Sequence, residues 1–345
     1  MDDFARLPAA DRASIFGEAA NRMGIAEQFV AKDFWVCWTL DKLFALPEIG
    51  THLIFKGGTS LSKVFRIIER FSEDIDVSLS RGWLGFGGEN DPERAPSAKK
   101  TRERLEALSV ACGLKIRKVL VPELERRFQT VLDDAGKAWR LEIDDEDPQA
   151  VRFYYPGHPG STLPGAVILP YVKIESGARS DDWPAESKPI RSYAAEQVPT
   201  EFKRPACDVR VLGMERTFWE KATLLHAECH RPKDTRLPKR LSRHLYDVAR
   251  YVTTGAAEAV LKRGDLRQRV VEHKSVFFRS GWAHYDAAKP GSFRMVPPDW
   301  RQAEWRKDYD QMRDMIFGTT PSFDSILQIL GGLEQRINSA STAKN

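Results

Sequence analysis

Two short patterns in this chain carry the means for phosphate chemistry. Gly57 and Gly58 follow the apolar run HLIFK and lead into TSLSKVFRII. A glycine pair lets backbone N–H groups approach a phosphate without interference from a Cβ. The start of a following helix adds free N–H donors and the positive end of its dipole, and Ser60 adds a hydroxyl. Further on, Asp74 and Asp76 stand two residues apart in SEDIDVSL. On a strand, residues at i and i+2 point to the same face. Two carboxylates on one face suit Mg²⁺ (or Mn²⁺), which is held by oxygen ligands together with substrate phosphates. Alone, a glycine pair is usually a turn and an Asp-x-Asp is usually solvated. Joined by one amphipathic helix, they predict a site for a nucleoside triphosphate (NTP) and its metal.

The elements that must position these residues are legible around them. Residues 52–56 read as a strand that stops at the glycines, with Thr59 or Ser60 capping the next helix. Leu61, Val64, Phe65 and Ile68 give that helix one apolar face. Residues 72–79 alternate as a second strand, with Asp74, Asp76 and Ser78 on one side. Upstream, Phe29, Phe34, Trp35, Trp38 and Leu43 recur at helical spacing within a helical region at 10–47. Residues 101–135 read as helical with a break near Pro122, and 139–155 as two short strands around an acidic turn. Residues 166–175 form a strand whose Pro170 predicts an edge or a bulge. Val167, Leu169, Tyr171, Lys173 and Glu175 share one of its faces, which makes Glu175 a candidate third carboxylate. A cross-strand Lys–Glu pair is the alternative there. Residues 176–206 read as a polar, Pro-punctuated connection, and helices dominate from Glu215 onward. The fold class expected is α+β, with N-terminal helices and a mixed-sheet core over 1–206 and a helical lobe over 207–345.

Composition bounds the class. A chain of 345 residues predicts two domains at roughly 150 residues each. With 42% hydrophobic residues and a net charge of only +4, it is not intrinsically disordered. No apolar run is long enough to span a membrane, and MDDFARLPAADR lacks the apolar core of a signal peptide. Cys37, Cys112, Cys207 and Cys229 show no framework spacing and read as reduced thiols, which implies a cytoplasmic setting. His226, Cys229 and His230 fall on one predicted helix, but without a further close ligand a zinc site is the weaker interpretation. The +4 is unevenly spread: Arg231–Arg250 holds seven basic and two acidic residues, a local +5. Such a stretch attracts polyanions. A second basic region, 262–279, precedes Trp282, Trp300 and Trp305, which either stack bases or pack in the core.

GGTSLSK followed by RFSEDID resembles the first motif of the AbiEii/MenT-like nucleotidyltransferase toxins, members of the polymerase-β-like nucleotidyltransferase superfamily. AKDFWVCWTL upstream, and ERTFWEKATLLH and RHLYDVARY downstream, are similar to further family segments, so the resemblance touches 31–79, 167–175 and 211–251. It implies a polymerase-β-like core. Asp74 and Asp76 would hold the metal, and Glu175 would act as the third acid. Lys221 and Asp247 would complete the catalytic set. Gly57, Gly58, Thr59, Ser60, Lys63, Lys221 and Arg243 would contact the nucleotide. The family often has Arg-Asp where this chain has Arg243-His244, which leaves Asp247 as the only carboxylate of its segment. Arg243 and Asp247, four apart, otherwise suit a helix ion pair. The resemblance further implies a toxin of a toxin–antitoxin or phage-defence system. Such a toxin moves nucleotides from NTP to an acceptor, the 3′ end of tRNA being expected, and has a winged-helix-type antitoxin as partner. The alternatives are a nucleotide- or RNA-binding module without transfer activity, and a metal-dependent phosphohydrolase or nuclease.

Overall fold

The computed structural model describes residues 1–133, 138–157, 169 and 171–339. They divide into two compact units: residues 1–64 with 71–212, and residues 65–70 with 213–339. The first unit therefore runs past the boundary expected at 206, and a short internal segment belongs to the second.

In the first unit, α1 (Asp2–Arg6), α2 (Ala9–Met23) and α3 (Glu27–Phe44) precede β1 (Leu53–Lys56), α4 (Gly57–Lys63) and β2 (Ile75–Leu79). Then come α5 (Ala98–Lys115), α6 (Val121–Leu132), β3 (Arg140–Ile143), β4 (Ala150–Tyr154), β5 (Val172–Gly177), β6 (Ala185–Arg191), α7 (Tyr193–Gln197) and β7 (Ala206–Leu212). The strands make one mixed sheet in the order β3-β4-β5-β2-β1-β7-β6. β2 runs antiparallel to β1 and parallel to β5, and β1 runs parallel to β7. The α+β expectation holds. α3 is buried on most of its surface, charged residues included: Trp35 stacks on Tyr155 at 5.7 Å and Trp38 on Phe153 at 5.8 Å between ring centroids. Between α5 and α6 the helix passes through one π-type turn, Ile116–Leu120, and Pro122 is tolerated because it falls in the first turn of α6.

Several expectations are corrected. The helix after the glycines ends at Lys63 rather than continuing through Ile68. Phe65–Arg70 instead joins the second unit, where the Phe317 N–H donates to the Glu69 carbonyl at 2.8 Å. Of the expected apolar face, Leu61 and Ile68 are buried, Ile68 without a helix, while Val64 and Phe65 are half-buried. The strand read over 166–175 begins at Val172 and is internal, lying between β4 and β2, not at an edge; Val167 and Pro170 lie outside the described residues. The stretch 176–206, read as a connection, contains β6 and α7. β6 was illegible because it is an edge strand with little burial and no clean alternation.

The second unit comprises α8 (Met214–Cys229), α9 (Arg243–Thr253), α10 (Ala257–Leu261), α11 (Gly264–Phe277), α12 (Asp299–Met312) and α13 (Phe323–Ser339). α8 and α9 pack through Phe218 and Tyr251, whose rings meet edge-on at 5.1 Å, and the Tyr251 hydroxyl donates to the Met214 carbonyl at 2.8 Å. No described helix is long and apolar enough to cross a membrane.

Candidate active site

The acidic residues come together through strand register. β2 and β5 run side by side with Asp76 opposite Glu175 and Ile75 opposite Ile174. The isoleucines are buried, so the two carboxylates share the opposite face. β5 states the same division in its sequence: Val172, Ile174 and Ser176 are buried, while Lys173 and Glu175 point the other way and pair at 2.5 Å. Asp74 sits one residue before β2, not within it. The Thr59 hydroxyl fixes it there, donating to the Asp74 carbonyl at 2.5 Å and lying 2.9 Å from Ser72 Oγ.

Gly57 has φ +81°, and a Cβ there would stand 2.0 Å from Asp76 Oδ2. The glycine therefore does two things: it permits the turn and it leaves room for the carboxylate beside it. Only the first was foreseeable from composition. Ser60 is fully buried and its hydroxyl donates to the Gly57 carbonyl at 2.9 Å, so it shapes the turn. α4 starts at Gly57 itself with Lys56 as its cap residue, so neither Thr59 nor Ser60 caps it.

The electrostatics of this cluster are unbalanced. Burial raises the Asp74 carboxyl to about 7, reinforced by Glu73, Glu175 and Asp76, with Lys32 opposing. Lys32 is itself committed. It is 1% exposed, pairs with Glu73 at 3.1 Å, and donates to the carbonyls of Leu169, at 2.8 Å, and Tyr171. Its neighbour Asp33 pairs with Lys63 at 2.8 Å, and Lys63 lies over the Tyr193 ring. Burial alone would lower the Lys63 pKa, but the Asp33 carboxylate raises it. Lys63 thus anchors α4 to α3. Adjacent charges on one buried helix, Lys32 and Asp33, hold the approach to β5 and the helix after the glycines. Sequence reasoning missed both roles; two opposite charges set between the apolar runs of one helix were the available signal.

The second unit gathers a different set. Asp247 is fully buried, accepts from Arg70 Nε at 2.7 Å and Nη2 at 2.8 Å, and pairs with Lys221 at 2.9 Å. Lys221 Nζ also lies 3.3 Å from His244 Nδ1. Burial would raise the Asp247 carboxyl, but Arg70 and Lys221 hold it well below the usual range. Burial lowers the Lys221 pKa against the pull of Asp247. Burial and Lys221 also keep His244 neutral, free to accept. Lys221 and Asp247 are therefore brought together, and Arg70, inside RFSEDID, is the partner that spacing did not reveal. Arg243 is exposed at the start of α9.

His226 and His230 are not set for zinc. His226 Nδ1 accepts from the Arg294 N–H at 3.0 Å, which leaves its Nε2–H to donate to the His284 carbonyl at 3.0 Å. His230 Nδ1 lies 2.8 Å from the His226 carbonyl, and the Cys229 thiol donates to Val296. Among the described residues no three His, Cys, Asp or Glu side chains are grouped to hold a metal. Trp305 is core at 1% exposure, whereas Trp300 keeps 48% of its surface in water.

Over residues 38–329 the chain matches the family model described as nucleotidyl transferase AbiEii toxin, type IV toxin–antitoxin system. It belongs to the AbiEii nucleotidyltransferase toxin family. The matched span takes in the glycine pair, Asp74, Asp76, Glu175, Lys221 and Asp247. The chain is therefore an enzyme of nucleotidyl transfer and the toxin of a type IV system. A solved structure, MenT4, a nucleotidyltransferase toxin from Mycobacterium tuberculosis H37Rv, is similar at 16% identity and a TM-score of 0.49, covering 98% of this chain and 91% of that one. A search of curated proteins returns no match.

Proposed function

We propose that this AbiEii toxin transfers a nucleoside monophosphate from NTP to an RNA hydroxyl, the 3′ end of tRNA being the favoured acceptor, and so stops translation. The observation that carries the assignment is the register of Asp76 with Glu175, with Asp74 beside them raised to about 7. A carboxyl raised by burial and by three neighbouring acids, with one lysine opposing, suits a divalent cation and a polyphosphate rather than a finished core. Asp74 and Asp76 would hold Mg²⁺ or Mn²⁺. Two protein carboxylates suffice, because Mg²⁺ takes its remaining oxygens from phosphate and water. When bound, the ion neutralises triphosphate charge and polarises the reacting oxygens.

The chain's own residues do the rest. First-turn N–H groups at Gly58 and Thr59, which helix geometry leaves without intrahelical partners, would donate to phosphate oxygens. The acceptor oxygen attacks the α-phosphorus. The bond from that phosphorus to the bridging oxygen breaks, and pyrophosphate leaves. Glu175 takes the hydroxyl proton once Lys173 turns toward phosphate. A winged-helix-type antitoxin as partner, a phage-defence role and a cytoplasmic location follow from the same proposal.

The test is incubation of purified protein with total RNA, Mg²⁺ and each α-labelled NTP. Label should enter RNA and vanish in Asp76→Asn. Tight NTP binding with no label in RNA, or RNA that shortens, overturns the proposal.

A further inference from the structure

The loop between α8 and α9, Arg231–Ser242, has no helix or strand, yet its backbone is pinned at seven points by one face of α12. Arg301, 3% exposed, donates to the carbonyls of Arg231, Pro232, Lys233 and Thr235 at 2.6–3.4 Å. Glu304 accepts from the Leu237 N–H at 3.1 Å. Asp308 accepts from the N–H groups of Arg240, at 2.7 Å, and Ser242, at 2.8 Å. Three charged side chains of α12 thus hold a loop whose own outward side chains are nearly all of one sign. Lys233, Arg236 and Lys239 of the loop, and Arg243 at the start of α9, are exposed and form no ion pair among the described residues; Asp234 is the loop's one acid. Holding like charges in one fixed arrangement is unfavourable until a polyanion neutralises them. Beside them, Trp300 stands exposed at the first turn of α12 with Lys233 5.7 Å and Arg301 4.6 Å from its ring centroid.

We propose that this clamped loop and Trp300 form a platform for single-stranded RNA, with Lys233, Arg236, Lys239 and Arg243 contacting phosphates and Trp300 stacking a base. A rigid row of cations alone would serve any polyanion. The exposed indole among them favours a nucleic acid over an acidic protein, because every base presents a face for stacking. The platform rests on the RNA-acceptor proposal above, and its test separates the two.

The experiment measures binding of a short fluorescein-labelled single-stranded RNA to the full chain by anisotropy, without NTP or metal, over a salt series. Replacing Lys233, Arg236 and Lys239 together by Gln should weaken binding at least tenfold at low salt. The log–log salt dependence should become shallower by about 2, because each phosphate that a side chain neutralises on single-stranded RNA adds about 0.7 to the slope. Trp300→Ala should weaken binding roughly tenfold with the salt slope unchanged. If the triple variant unfolds, the single Lys233→Gln and Lys239→Gln variants each read a slope change of about 0.7. Wild-type affinity and slope in the charge variants overturn the platform, as does loss of antitoxin binding with RNA binding intact. Label transfer is followed in parallel. RNA binding that depends on the loop, with no label entering RNA, overturns the acceptor proposal and leaves the platform standing. Wild-type transfer by the triple variant does the reverse.

Discussion

Asp74 and Asp247 are both largely withdrawn from water, yet burial leaves them in opposite states. Asp74 has Glu73, Asp76 and Glu175 near it and one opposing lysine, and its carboxyl rises to about 7. Asp247 has Arg70 on both oxygens and Lys221 at 2.9 Å, and its carboxyl is held far down. In the Asp247 cluster the carboxylate is answered within the chain: two cations, Arg70 and Lys221, stand against one buried acid. Around Asp74 the ratio is reversed: three acids stand against one lysine. A buried acid whose neighbours are also acids is arranged for something that arrives, whereas a buried acid gripped by cations is arranged for stability.

The sharpest way to break that contrast is to neutralise one acid in each cluster and read both activity and stability. Asp76→Asn should lower nucleotidyl transfer by roughly a thousandfold or more, equivalent to several kcal/mol of transition-state stabilisation. Its urea midpoint should hold or rise, since one of several like charges is gone. Asp247→Asn should do the opposite, costing roughly 3–5 kcal/mol in urea unfolding because Arg70 and Lys221 are left buried without their counter-ion. If Asp247→Asn unfolds at the wild-type midpoint, the second cluster is not structural and the comparison fails.

Gly57→Ala probes how closely the first cluster is packed. At φ +81° an alanine is strained, and its Cβ would fall 2.0 Å from Asp76 Oδ2. The expected cost is roughly 1–3 kcal/mol of stability. Displacing the carboxylate by even an ångström should lower the rate by roughly a hundredfold. An alanine variant with wild-type kcat would mean that the position of Asp76 does not matter.

Much of the first cluster was visible in the sequence because its signals are local. The glycine pair, the Asp-x-Asp and the alternation that put Glu175 on a polar face each span a few residues, and the sheet joins them through register. What stayed hidden depends on distant partners. Arg70 meets Asp247 across 177 residues of chain, and no periodicity carries that information. The apolar pattern at Val64, Phe65 and Ile68 fits a helix face, but only Ile68 of the three is buried, and it is buried within the second unit without a helix. β6 escapes for the converse reason, since an edge strand whose one buried residue is Ile190 has no alternation to read. Lys63 looked like a phosphate ligand beside the glycines, and only the fold shows it spent on Asp33.

The smallest effect tests the electrostatics most directly. Asp74 has an ordinary carboxyl value of 3.8 and is raised to about 7 in the folded protein. The folded state therefore binds the proton more tightly than the unfolded chain, and the Asp74 contribution to stability falls as pH rises between those values. Asp74→Asn removes the contribution. Above pH 7 the variant should exceed wild type by roughly 1–3 kcal/mol in urea unfolding with metal chelated, and below about pH 4 the two should converge. Asp247 carries the other sign: its carboxyl is lowered, so its contribution persists through neutral and mildly acidic pH and is lost only as pH falls below the ordinary carboxylate range. Mg²⁺ should then raise the midpoint of wild type above pH 7 more than that of Asp74→Asn, because a cation relieves only a charge that is there to be relieved. An Asp74→Asn variant less stable than wild type at pH 8 would mean that the acid is already balanced from within, and the distinction between the two clusters would not stand.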